Sequence, residues 1–257
     1  MPFWIKNRLA LLVLLTALLF SPPGRGDSAL IYFYNPDANL GDVAKLKSSV
    51  QEYFQVIEPG ATLKAFLRLQ DLLAALKSQP PDFLVASSWV TKSYAGQYGL
   101  KPLLVGRVGA ERSYTKILIS KKAMPSSASP SLSTVGLGAQ NLDVLKSLVP
   151  DLRKFSNLNV VEVSKDLDAV LAVSFDQVDL GLVRSENIEA IRKVNQVAVA
   201  NLKTLSRSTP IEYPIFSATA KVQAPAMDKF VKGLQAQKDE KAVQAMELMG
   251  FQSWGLR

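Results

Sequence analysis

SALIYFYNPD, residues 28–37, sets how the rest of the chain is read. Its apolar, β-rich run stops at Asn35-Pro36-Asp37, the turn chemistry that follows a buried strand. The next stretch, LGDVAKLKSSVQEYFQVI (40–57), has apolar residues at Val43, Leu46, Val50, Phe54 and Val56-Ile57, a helical spacing that Glu58-Pro59-Gly60 ends. ATLKAFL (61–67) predicts a second strand, LQDLLAALKSQPPD (69–82) an amphipathic helix closed by two prolines, and FLVASSW (83–89) a third strand. The order β-α-β-α-β implies a parallel sheet with helices on its faces.

Beyond it the pattern changes and then returns. KPLLVGRV (101–108) and SYTKILIS (113–120) are extended segments around Gly109-Ala110-Glu111-Arg112, as expected of a chain leaving one unit and entering another. After the polar loop MPSSASPSLS (124–133) come strand 133–139, helix 141–155, strand 159–164, helix 165–175, strand 178–184 and helix 185–194. The chain runs through VAVANLKTL (197–205) and RSTPIEYPIFSATA (207–220) into helices over 224–237 and 238–249, broken by Gly250. No short fixed repeat is present, and two α/β lobes of similar size fit the pattern. The expected division is lobe 1 over 27–108, lobe 2 over 109–211 and a return to lobe 1 over 212–257.

Composition narrows the chemistry. The chain has 257 residues, 48% hydrophobic and 20% charged, which is globular composition. Its first residues, MPFWIKNRLALLVLLTALLFSPPGRG (1–26), place Lys6 and Arg8 before an apolar run from Leu9 to Phe20. That run is shorter than the ~20 apolar residues of a membrane span, so a cleaved export signal and a periplasmic or secreted product are expected. The absence of cysteine excludes disulfides and thiolate metal sites; the absence of histidine removes the commonest metal ligand and general base. No Gly-x-Ser-x-Gly pattern or acidic metal-binding spacing occurs, so binding rather than turnover is expected, with no cofactor. The net charge of +8 falls to +5 once Lys6, Arg8 and Arg25 leave with the signal, and no basic run with interleaved aromatics suggests nucleic acid.

Four segments, taken in order, resemble the type II periplasmic solute-binding proteins, and within them the phosphate/phosphite/phosphonate group of ABC-transporter binding proteins. They are PPDFLVASSWV (80–90), GLKPLLVGRVGAERSYTKILISKK (99–122), VSFDQVDLGLV (173–183) and AVQAMELMGFQSW (242–254). The resemblance implies mainly parallel sheets flanked by helices in two lobes, joined by hinge crossings near 103–114 and 203–214. It further implies capture of a small anionic or polar ligand between the lobes and, as partner, an ABC-transporter permease or a sensor kinase, the chain itself being a monomer. The alternative is a degenerate two-lobed sensory or accessory module that binds a protein partner. The chain departs from the family at one place: Ala139, Gln140 and Asn141 replace the Ser-Thr-Ser-Gly loop that cradles phosphonates, which argues against a tetrahedral oxyanion.

Candidate ligand contacts sit where strands end, because ligands of open α/β sheets bind outside the carboxyl ends of the strands. Ser87 and Ser88 could cap the following helix or donate to a ligand oxygen, with Trp89 as a wall of the cleft. Tyr34 is either a core residue with Tyr32 or a ligand contact, and Asn35 shapes the turn. Tyr114 falls where the resemblance places a cleft tyrosine, and Asp179 on the family's strand aspartate. Arg107 and Arg112 flank the crossing, and Arg184 ends a strand; each could clamp an anion or stay solvated. Gln140 and Asn141 could cap a helix or donate to a polar ligand.

Overall fold

The computed structural model describes residues 28–38, 42–138 and 141–257, so the expected signal segment lies outside the described residues. Strand β1 (Leu30–Tyr34) leads to helix α1 (Val43–Gln55), β2 (Thr62–Ala65), α2 (Leu69–Ser78), β3 (Phe83–Ala86), α3 (Ser88–Tyr98) and β4 (Lys101–Arg107). Asp42 caps α1 by accepting the Lys45 N–H at 2.9 Å, and Leu46, Val50, Tyr53 and Phe54 form its buried face. β1 pairs in parallel with both β2 and β3, as the opening stretch predicts.

The chain then crosses. β5 (Ser113–Tyr114) and β6 (Lys116–Ser120) are separate strands where one was expected, because the ladder partner changes at Thr115. There follow β7 (Ser131–Val135), α4 (Leu142–Leu148), β8 (Asn159–Val163), α5 (Asp166–Ser174), β9 (Leu180–Arg184), α6 (Ser185–Val194), α7 (Gln196–Val199) and β10 (Lys203–Arg207). The single helix expected over 141–155 is α4 plus a 3₁₀ turn, Pro150–Lys154, because proline supplies no N–H and restricts the residue before it. The return runs through β11 (Ile211–Glu212) and β12 (Ile215–Ala218) to α8 (Ala224–Ala236), α9 (Glu240–Met249) and β13 (Ser253–Leu256). β13 was not legible beforehand.

Two sheets result, in the orders β13-β4-β12-β3-β1-β2 and β10-β6-β9-β7-β8. The outgoing and returning crossings pair with each other as the antiparallel ribbon β5/β11, Tyr114 opposite Ile211. The C-terminal segment is tied to the first sheet: β13 pairs with β4, and the Trp254 indole N–H donates to the Tyr53 hydroxyl at 3.0 Å. Among the described residues no helix is long and apolar enough to cross a membrane.

Three apolar clusters fill the structure. One packs α1, α8 and α9 on the first sheet and another packs α5 and α7 on the second. The third is shared: Tyr32, Tyr34, Leu84 and Trp89 from the first lobe join Leu118, Leu132, Leu137, Leu145 and Leu180 from the second. The lobes also touch where β7 ends. Gly136 has φ +73°, and a Cβ on it would lie 2.2 Å from Pro36 Cβ and Cγ. Both the left-handed backbone and the close approach therefore require glycine there.

Candidate functional site

Between the lobes lies a cavity of about 450 Å³. Its walls are the segments just past the carboxyl ends of β1 (Pro36–Ala38), β7 (Val135), β8 (Ser164–Asp166) and β9 (Arg184), with Val108 from the crossing and Gly250–Gln252 from the end of α9. This is the position in which an open α/β sheet holds ligands, and the volume suits a small solute.

At its base a carboxylate of lobe 1 is held by lobe 2 and the crossing. The Lys116 ammonium, on β6, lies 2.7 Å from Asp37 Oδ1, with the two side chains 1% and 6% exposed. It also donates to the Val135 carbonyl at 3.2 Å, while the Tyr114 hydroxyl donates to Asp37 Oδ2 at 2.7 Å. Burial pushes the Asp37 carboxyl up, but the charge and hydrogen bond of Lys116, the Tyr114 hydroxyl and the Arg184 charge outweigh it and hold the group below the ordinary carboxylate range. Burial, reinforced by the same carboxylate, drives the Tyr114 phenol well above its usual value. Asn35 fixes the loop that presents Asp37: it donates to the Met249 carbonyl at 2.8 Å and accepts the Ser87 hydroxyl at 2.9 Å and the Asp37 N–H at 3.2 Å.

A second carboxylate lies on the lobe 2 wall. Asp166, in the first turn of α5, is buried; its Oδ2 accepts the Arg184 N–H at 3.0 Å and the Asn187 amide at 2.7 Å. Among the described residues its Oδ1 is buried without a hydrogen-bond partner. Burial raises this carboxyl, and repulsion from Asp37 adds to the rise against the opposing Lys116 charge. The Arg184 guanidinium is already engaged: it stacks 4.3 Å from the Tyr114 ring centre and its Nε donates to Glu186 at 2.9 Å.

The residues singled out from sequence are therefore dispersed. Arg184 lines the cavity; Tyr114 does not, but its hydroxyl holds the lining Asp37 from behind. Tyr34 and Trp89 are buried against each other, edge to face with ring centres 6.3 Å apart, in the apolar layer shared by the lobes. Burial, with the nearby Glu162 and Asp37 charges, raises the Tyr34 phenol. Ser88 is buried at the start of α3, and the Ser87 hydroxyl serves Asn35 rather than capping that helix. Asp179 stands just before the amino end of the central strand β9, at the opposite end from the cavity, where Oδ2 accepts the Ser131 N–H and hydroxyl, each at 2.8 Å; it does not line the cavity. Asn141 is buried before α4 with its amide nitrogen unpartnered among the described residues, and Gln140 lies outside them. Arg107 packs over Gly255, and Arg112 is exposed.

Sequence reading missed Asp37, Lys116 and Asp166. The available signal was Lys116 itself: under a period of two it shares a strand face with Tyr114 and Leu118 inside an apolar run. Ser113-Tyr114-Thr115-Lys116 is also a Ser-x-x-Lys spacing. On a helix, i and i+3 share a face. Here the two residues lie on extended strands, and the ammonium is committed to Asp37.

No family model and no curated protein matches the chain. Solved structures do. A Xanthomonas citri protein bound to a chloride ion aligns with TM-score 0.63 at 15% identity, over 90% of this chain and 91% of that one. The binding-protein component of an ABC phosphonate transporter from Pseudomonas aeruginosa aligns with TM-score 0.63 at 11% identity, over 90% and 81%. PhnD1 from Prochlorococcus marinus in complex with methylphosphonate aligns with TM-score 0.64 at 8% identity, over 90% and 92%. At these identities the likeness bears on the fold alone. The chain has the two-lobed type II periplasmic-binding-protein fold, as do the phosphonate-transporter binding proteins it aligns with.

Proposed function

We propose that the chain is an exported binding protein, not an enzyme, that captures a small polar solute between its lobes and delivers it to the permease of an ABC transporter. The observation that carries this reading is the interlobe cavity of about 450 Å³, walled by the carboxyl ends of strands from both sheets. Closure of two lobes over such a cavity orders residues from both and couples occupancy to shape, which is how a permease can sense the loaded form. Tetrahedral oxyanions are disfavoured, because Asp37 already sits on Lys116 and Tyr114, the donors an anion would need.

The second reading, an accessory module that contacts a protein partner such as a sensor kinase, rests on the shared apolar layer and the Asp37–Lys116 pair, which hold the lobes together without a solute. A thermal-shift screen of the purified chain against phosphate, phosphonates, sulfate, carboxylates, amino acids and amines separates the two. A solute at a hundredfold its Kd adds about 2.7 kcal/mol of stability. A shift with one solute class supports capture; no shift with any class supports the partner-binding module.

A further inference from the structure

We infer that the interlobe cavity takes a solute bearing a primary or secondary ammonium group, with Asp166 as its acceptor; this rests on the solute-capture reading above. The argument is one of charge and hydrogen-bond accounting at the cavity floor. Three charged side chains are buried at or just behind it: Asp37 and Asp166, which line the cavity, and Lys116, which lies behind Asp37. Asp37 and Lys116 neutralise each other, Arg184 on the wall is taken up by Glu186 and the Tyr114 ring, and the remaining lining charges, Lys165 and Glu247, are exposed and of opposite sign. Asp166 alone of the three lacks an ion pair among the described residues, and one of its oxygens has no hydrogen-bond partner at all.

A buried carboxylate in that condition is costly, because neutral donors replace only part of the lost hydration. The N-termini of α5 and α6, at which Asp166 sits, offset some of the charge but leave Oδ1 unbonded. A ligand N–H⁺ entering the cavity would supply both missing elements, the counter-charge and the donor. A quaternary ammonium would supply only the first, and an anion neither.

The test is calorimetric titration of the full chain with ethanolamine, choline, inorganic phosphate and methylphosphonate, in wild type, D166N and D37N. The expected pattern is binding of ethanolamine, choline weaker by about tenfold or more, and D166N weakening ethanolamine by about ten- to hundredfold with the melting transition kept. D37N, which frees Lys116 and Tyr114, should gain binding of inorganic phosphate that wild type lacks. Wild-type binding of phosphate or methylphosphonate without ethanolamine, or ethanolamine binding unchanged in D166N, overturns the inference. If none of the four binds but a carboxylate or neutral solute raises the melting temperature, the ammonium inference falls and solute capture stands; if no solute class does so, both fall.

Discussion

Replacing Lys116 with methionine tests the cavity floor most severely. Methionine keeps most of the stem volume and deletes the ammonium, so Asp37 is left buried with the Tyr114 hydroxyl as its remaining close donor from across the interface. Removing one partner of a buried pair costs about 3–5 kcal/mol, whereas an exposed pair is worth about 0–1. With both side chains no more than 6% exposed, the larger figure applies. For a chain of this size that is a fall in Tm of roughly 6–20 °C, read by calorimetry or near-ultraviolet circular dichroism.

The pH dependence should weaken as well. In the wild type the Asp37 carboxyl is held below its unfolded value, so its contribution is present above the unfolded pKa of about 3.9 and is lost as pH falls through the lower folded pKa. In K116M burial is opposed only by the Tyr114 hydroxyl and the Arg184 charge, so the folded pKa rises and the loss of stability on acidification through this group shrinks. The double variant D37N/K116M should recover much of the loss. A drop in Tm of under about 2 °C, or no coupling between the two changes, would refute the view that this pair closes the lobes.

Other outcomes follow from the same geometry. D166N should leave neutral-pH stability unchanged or raised, and should remove the gain in stability that wild type shows as pH falls through the raised folded pKa of Asp166; pH-dependent melting reads this. G136V combines a φ of +73° with a Cβ 2.2 Å from Pro36, so it should part the lobes and increase the radius of gyration in small-angle scattering; an unchanged value would contradict the lobe contact. D179A should cost about 0.5–1.5 kcal/mol through the two exposed bonds lost from Ser131 and leave solute affinity unaltered; lost affinity at unchanged stability would return Asp179 to the site.

Legibility from sequence divided along physical lines. The β-α-β-α-β opening and helix 185–194 were readable because apolar period and turn residues are local signals. β13 was not, since SWGL has little strand character of its own; it is a strand because Gly106 leaves room for Phe251 and Trp254 reaches Tyr53. The site was harder for the same reason. Asp37 reads as a turn residue after proline, Asp166 as a favourable first-turn acid and Lys116 as a strand charge, and only the fold brings the three to one floor. Conversely Tyr34 and Trp89, conspicuous at strand ends, are drawn into the apolar layer between lobes. Local chemistry marked which segments are strands, but it carried the third to 89 and the one at 133 to 139, where they end at 86 and 135, and it could not tell which face of each end the cavity would use.

The central claim, that a small solute occupies the interlobe cavity, is tested most directly by isothermal titration of the solute that most raises the melting temperature into wild type and S164W. Ser164 is exposed on the cavity wall, so tryptophan there fills the space without disturbing the core. The account predicts one-to-one binding by the wild type and loss of at least about tenfold in affinity in a folded S164W, on the order of 1.4 kcal/mol. Equal affinity in the two proteins would place the solute elsewhere and contradict it.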